Sequence, residues 1–288
     1  MSNLKELCFT PYKVSTITCN ENLGKNLNIN LEILFNNFRI TNNFIWIEIL
    51  KENLENSKGI NPKKKKINKK DKTKKNRFDN QITVIYYIHE KYKPNIKIFK
   101  NGNVQITGIK NKDDTVEIIS KIINEIKYIH EIDNNILFNC SLSDFECNNF
   151  IIRMINTDFK SYIINDDVKT QFLIKRKALH KLLISDLYNN KCSFQPGIYH
   201  GVKLEFFWNL SKEINNGICD CSIHCFGKGK GNGPNDCKKI TVAIFESGSI
   251  LITGGVCFKQ IDDAYKYICN IIDKHKDEIH KSIMISMD

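Results

Sequence analysis

The sequence lacks any apolar run near the ~20 residues that a membrane-spanning helix needs, and its opening MSNLKELCFT has no apolar signal core. These absences lead us to expect an intracellular, reducing location and no membrane partner. Its eleven cysteines then serve as free thiols or metal ligands rather than as a disulfide framework. No Ser-His-Asp set, metal-ligating His pair or carboxylate constellation stands out, so no enzyme is expected. The Gly-rich GKGKGNG (227–233) lacks the spacing of a phosphate loop and a preceding strand, which excludes nucleotide hydrolysis by that route. Charge excess is missing too, outside one stretch. Residues 58–77 (KGINPKKKKINKKDKTKKNR) hold ten Lys and one Arg against one Asp, while the whole chain is net +11. Such a run cannot bury itself. It reads as a solvated loop or nuclear-localisation signal, or as a sequence-independent clamp on phosphates.

What is present is a repeat. IKIFKNGNVQITG (96–108) returns 146 residues later as VAIFESGSILITG (242–254), sharing IF-x-x-G-x-x-x-I-T-G. The signals around each copy also agree. The first half reads as a strand at 12–19, an amphipathic helix within 27–38, and an ambiguous apolar run at 44–50. Strands at 82–90, 95–100 and 103–110 follow, with a hairpin turn at Asn101-Gly102, both tolerant of positive φ. A helix then starts with Asp113 or Asp114 as N-cap and presents Val116, Ile119, Ile123 and Ile126 as one apolar face. The second half reads as a strand at 150–159, a helix within 169–188, a strand at 202–208, the hairpin at 239–254, and a helix from about Asp262 to His275. There Tyr265, Ile268 and Ile272 match Val116, Ile119 and Ile123, which implies a three-residue insertion after the second Thr-Gly. A strand–helix–three strands–helix unit used twice gives an α+β fold, an antiparallel sheet with helices on one face. Ile98 and Ile244 must point opposite to their neighbours Phe99 and Phe245. If the Ile pair faces the helices, the Phe pair faces outward; the alternative is that the Phe pair packs in the core.

With both hairpins, VSTITCNENLG (14–24) and FQPGIYHGVKL (194–204), the chain resembles the two direct repeats of the TATA-box-binding protein family. Its insertions and composition resemble the divergent versions found in large DNA viruses. The resemblance implies two pseudo-symmetric repeats forming a curved, saddle-like antiparallel sheet with helices on the convex face. The first repeat then spans 8–132, with the Lys-rich insertion at 58–77; the second spans 145–285, with a Cys-rich insertion at 209–238. It also implies transcription initiation by binding the minor groove of A·T-rich DNA and bending it with aromatic wedges. Double-stranded DNA, a transcription factor IIB-like protein and RNA polymerase would be the partners. The protein would be a monomer or weak dimer, in the nucleus or a cytoplasmic viral factory.

Carried over by position, Phe99 and Phe245 fall on the hairpin wedges and Tyr199 on the second repeat's other wedge. Counting back in the first repeat reaches Gln81, with Phe78 able to serve after a local shift. Thr107, Thr253 and Val14 match groove-facing residues, and Lys110 joins the DNA-binding set. Other family positions are altered. Its two central Asn become Tyr12 and Ile152, and the basic residues after the turns become Asn103 and Ser249. Lys97 and Gln105 replace groove-facing apolar residues, and Gln195 and Gly197 replace acids used toward the factor IIB-like partner. These changes leave a second possibility, a protein-interaction adaptor that keeps the fold without groove binding.

Cys219, Cys221, Cys225 and Cys237 form C-x-C-x3-C-x11-C with His224 alongside. Clustered thiolates on a Gly-rich loop suit a structural Zn site, and the alternative is a loop of reduced thiols. By the family alignment, this loop stands in for the stirrup that flanks DNA.

Overall fold

The computed structural model describes residues 6–51, 54–62, 80–145, 150–165, 168–223 and 225–281. Most of the Lys-rich run (63–79, including Phe78) and His224 lie outside the described residues. In chain order the first elements are β1 (Glu6–Phe9), β2 (Lys13–Asn22), α1 (Leu31–Asn37), β3 (Phe44–Lys51), β4 (Leu54–Gly59), β5 (Gln81–Tyr86), β6 (Asn95–Phe99), β7 (Asn103–Ile109) and α2 (Lys112–Ile132). Then come β8 (Ile151–Asn165), β9 (Val168–Gln171), α3 (Arg176–Ile184), β10 (Lys191–Gln195), β11 (Tyr199–Trp208), β12 (Lys238–Ile244), β13 (Ser249–Gly255), α4 (Phe258–Lys274) and α5 (Lys276–Ile279).

The chain forms two compact units: Thr16–Arg153, and Met1–Ser15 together with Met154–Asp288. Within the Thr16–Arg153 unit the strands run β2-β7-β6-β5-β3-β4, each pair antiparallel. In the other unit they run β8-β13-β12-β11-β10, again antiparallel, with β1 and β9 also on β8. Setting β4, β1 and β9 aside, the two orders correspond strand for strand. The ambiguous 44–50 run is strand β3, because it pairs on both sides, with β4 and β5.

The shared Thr-Gly has a backbone cause. Gly108 and Gly254 adopt φ of +96° and +94°, and the turn glycines Gly102 and Gly248 adopt +76° and +73°. Each unit breaks its ladder register at the same point: Ile17 pairs with Ile109 and Thr18 with Thr107, while Ile155 pairs with Gly255 and Asn156 with Thr253. A Gly with positive φ absorbs the extra residue of each bulge. At the turn, only Gly102 uses the left-handed region, not Asn101.

Several expectations are corrected. Helix α2 is capped by Asn111, whose Oδ1 accepts from Asp114 N at 2.8 Å, so neither Asp113 nor Asp114 is the cap. Its buried face is Thr115, Ile118, Ile119, Ile122, Ile126 and Ile129, whereas Val116 is 60% exposed. In α4 the N-cap position is held by Cys257, 146 residues after Asn111, and the helix buries Ile261, Ala264, Ile268, Ile271 and Ile272. The 146-residue spacing therefore continues into the helices. There is no three-residue insertion, and Tyr265 matches Ile119 rather than Val116. Lys58 is not part of a free basic run. It lies in β4, and its Nζ donates to the Phe35 and Asn36 carbonyls at the end of α1, at 2.7 and 2.6 Å.

Candidate nucleic-acid interface and metal centre

In each unit the hairpin has one side against the helices and one side open. Ile96, Ile98, Val104 and Ile106 are essentially fully buried, as are Val242, Ile244, Ile250 and Ile252. Phe99 and Phe245 alternate with them and are only half-buried, so both occupy the side away from the helices.

The two open faces differ chemically. Tyr199 and Phe245 stand together, with ring centroids 5.7 Å apart and planes inclined at 58°. Gly201, which pairs beside Phe245, makes room for them: a Cβ there would lie 2.8 Å from the Tyr199 ring and 3.2 Å from the Phe245 ring. The Lys203 ammonium sits 4.0 Å from the Tyr199 ring centroid, a cation–π contact that braces the ring. Ala243, Leu251 and Thr253 continue this mainly apolar surface.

Phe99 instead borders a recess rich in amides, lined by Asn20, Asn22, Asn101, Asn103, Gln105 and Arg153. Asn22 Nδ2 donates to Asn103 Oδ1 at 2.7 Å. With its amide oriented to satisfy both ends, Asn20 donates to the Cys19 carbonyl and accepts from Arg153 Nε at 3.2 Å. Lys97 faces Gln105 across the hairpin.

The ladder revises three assignments. Gln81 pairs with Phe99, so its counterpart is Gly201, and the counterpart of Tyr199 is Asp79, outside the described residues and next to Phe78. Register at the bulges matches Ile152 to Val14, and Phe150 rather than Ile152 to Tyr12. Tyr12 turns onto α4, donating from its hydroxyl to Asp262 Oδ1 at 2.6 Å and meeting Tyr265 edge-on. Burial, followed by the bond to Asp262, raises its phenol pKa to about 12. Phe150 lies over α2, with Lys112 Nζ 5.8 Å from its ring. Val14 is half-buried in β2, Thr107 is exposed and Thr253 is half-buried. Lys110 is exposed; its amide donates to Tyr92 Oη at 2.7 Å and its Nζ lies 5.1 Å from that ring.

The cysteine segment joins β11 to β12, so it is not the stirrup. Tyr199 opens β11 and Phe245 follows β12, whereas the segment leaves from Trp208, about 30 Å along the strand. It is the turn between β10 and β11 that lies beside Tyr199, and in the other unit Gln81, which opens β5, pairs with Phe99. The Sγ atoms of Cys219, Cys221, Cys225 and Cys237 all lie within 4.8 Å of one another. Four sulfurs so placed could hold a metal ion. The GKGKGNG amides are already occupied: Asp236 accepts from Lys230 N at 3.1 Å and Asn232 N at 2.9 Å through its carboxylate, and from Gly231 N at 2.6 Å through its carbonyl. These bonds hold the Asp236 carboxyl below its ordinary pKa. An anion would have to displace them. The recess beside Phe99 gave little signal in sequence, because Asn is common throughout this chain and only the pairing of β2 with β7 brings Asn20 and Asn22 to the hairpin.

Residues 65–129 match the family model described as transcription factor TFIID, or TATA-binding protein. A curated relative from Acanthamoeba polyphaga mimivirus, "TATA-box-binding protein-like", is 29% identical over 225 residues, 74% of this chain and 52% of the relative. The chain thus spans about half the length of that relative. Among solved structures, Methanococcus jannaschii TBP aligns with 93% of this chain and 99% of its own, at 15% identity and a TM-score of 0.47. The chain is similar in sequence to the TATA-binding-protein family, and to the divergent version of it that a large DNA virus carries.

Proposed function

We propose that the protein is a transcription initiation factor that binds A·T-rich duplex DNA in the minor groove and bends it by aromatic wedging. The observation that carries this is the Tyr199–Phe245 pair on the open, helix-free side of its hairpin. An apolar face cannot use the donor and acceptor code of the major groove, but it suits a widened minor groove without the guanine amino group. Flexible TA steps make the bend cheaper, and inserted side chains kink the duplex at the unstacked step. The family segment and the viral relative support the same reading. The partners that follow are a factor IIB-like protein and RNA polymerase. The proposed site of action is the nucleus or a viral factory, to be checked by imaging tagged protein in infected and uninfected cells. The role is binding, with no enzymatic step assigned and any metal at the cysteine cluster structural.

A bending assay on A·T-rich and G·C-rich duplexes tests the proposal. Wild type should bend the A·T-rich duplex, and Tyr199→Ala with Phe245→Ala should abolish bending while leaving the fold intact. Bending that survives in that variant sinks the wedge. The adaptor reading is favoured by Tyr12 and Phe150, which stand at the positions of the family's central Asn residues but turn onto α4 and α2 instead of toward DNA. It predicts no A·T preference at any salt concentration.

A further inference from the structure

We propose that Cys219, Cys221, Cys225 and Cys237 bind one Zn²⁺ as four thiolates, and that this ion is the core of the segment between β11 and β12. The inference is independent of whether the open faces bind DNA.

The first support is geometric. Cys219 and Cys225 sulfurs are 3.6 Å apart, and those of Cys221 and Cys237 are 3.4 Å apart. Zn–S bonds of about 2.3 Å in a tetrahedron require sulfurs about 3.8 Å apart. Bonded disulfide sulfurs would be about 2.05 Å apart, so these are free thiols grouped at ligand spacing. Four soft sulfur donors with no carboxylate among them select Zn²⁺ over Mg²⁺ or Ca²⁺.

The second support is what the segment otherwise lacks. Among its described residues from 210 to 237, the only buried positions are Gly217, Gly227, Gly231 and Cys237. Ile214, Ile223 and Phe226 are 79%, 78% and 63% exposed. The segment therefore has no apolar side-chain core, yet it has a defined path. Phe207 N donates to Gly217 O at 3.1 Å, Lys239 N to Gly227 O at 2.9 Å, and Gln260 Nε2 to Lys230 O at 3.0 Å. An ion at the sulfurs supplies the missing centre.

A further support is the surroundings of the sulfurs. Buried Asn209 gives Nδ2 to Gly233 O at 2.6 Å and points it at Cys237 Sγ at 3.6 Å. After Cys225 the chain turns through Phe226 and Gly227 at φ of +54° and +66°. A Zn²⁺ with four thiolates carries a net −2 charge, and residues 209–239 contain five lysines against three acids to balance it. Binding releases the four thiol protons to solvent and changes no oxidation state.

The test uses the full chain purified under reducing conditions without added metal. Elemental analysis and native mass spectrometry should find one zinc per chain, and cobalt exchange should give the visible spectrum of a tetrahedral tetrathiolate centre. Cys221→Ser with Cys237→Ser should lose both signals, while Cys257→Ser, outside the cluster, should keep them. If the double variant does not fold, a chelator applied to wild type should expose 217–238 to protease and leave the flanking strands resistant. Folded wild type that binds neither zinc nor cobalt overturns the proposal. So does zinc retained in the double variant, or a chelated protein whose protease pattern is unchanged.

Discussion

At the residue scale, the paired glycines separate two costs that sequence alone merges. Gly254 has φ of +94° with its nearest foreign atom, Lys239 O, 3.5 Å from where a Cβ would sit. Gly254→Ala should therefore cost only the left-handed strain, about 1–2 kcal/mol. Gly248 has φ of +73°, and its Cβ would lie 2.5 Å from Phe172 O and 2.6 Å from Ser161 Oγ. Gly248→Ala should cost at least about 1 kcal/mol more than Gly254→Ala, since overpacking adds to strain. Urea midpoints compared at constant slope will show the difference. Gly201 has a different job, because its missing side chain leaves space for the Tyr199 and Phe245 rings. The atoms that a Cβ would crowd belong to half-buried rings that can swing outward, so Gly201→Val should lower the urea midpoint less than Gly248→Ala, whose Cβ meets backbone, yet reduce bending of A·T-rich DNA, read by gel mobility or energy transfer.

At the element scale, Arg39, two residues past the end of α1, ties that segment to α2. Arg39 donates from Nε and Nη2 to the Glu125 carboxylate, with Nη2 at 2.7 Å from Oε2, and its backbone N donates to Oε1 at 2.9 Å. Glu125 is buried, so Arg39→Ala leaves a desolvated carboxylate short of partners. We expect a loss of about 1–3 kcal/mol in chemical denaturation. Hairpin strands and long helices were legible because Ile and Val alternate in the hairpins and recur at helical spacing in α2 and α4, but the short strands β1, β9 and β10 were not read, and each unit carries four corresponding strands after its first helix rather than three. The helix faces were less legible. A helix rich in Ile offers more than one apolar stripe, and only the sheet decides that Ile118 and Ile122 go inside and Val116 outside. β4 was missed because LENSKG has neither alternation nor β-branched residues, and it forms only as an edge partner of β3. The hairpin Phe positions were readable from the alternation of Ile98 and Ile244, whereas the Tyr199 partner in the first repeat was not, since an insertion erased the count. The stirrup assignment failed for a related reason: similarity by composition does not say which end of a strand an insertion leaves from.

At the scale of the whole molecule, almost all the net charge of +11 sits in 58–77, while the sheet surfaces contribute amides and rings. Affinity and selectivity should therefore separate. Deleting 63–79 should weaken binding to A·T-rich and G·C-rich duplexes alike and flatten the dependence of log K on log salt, by about 0.9 for each phosphate no longer neutralised. The Tyr199 and Phe245 variants should instead reduce A·T preference at an unchanged salt slope. A deletion that removes selectivity but not the slope would contradict this division. The cysteine segment bears on how the chain reaches its structure. β5 and β6 are joined across residues 87–94, but β11 must find β12 across residues 209–237. That is nearly two doublings of loop length, about 1 kcal/mol of closure entropy on the search for the pairing. Drawing 219 to 237 together shortens the span before the strands meet. With Zn²⁺ bound as proposed, hairpin formation in that unit becomes a metal-timed step, and refolding in a chelator should be slower there, by pulsed hydrogen exchange, than in the Thr16–Arg153 unit.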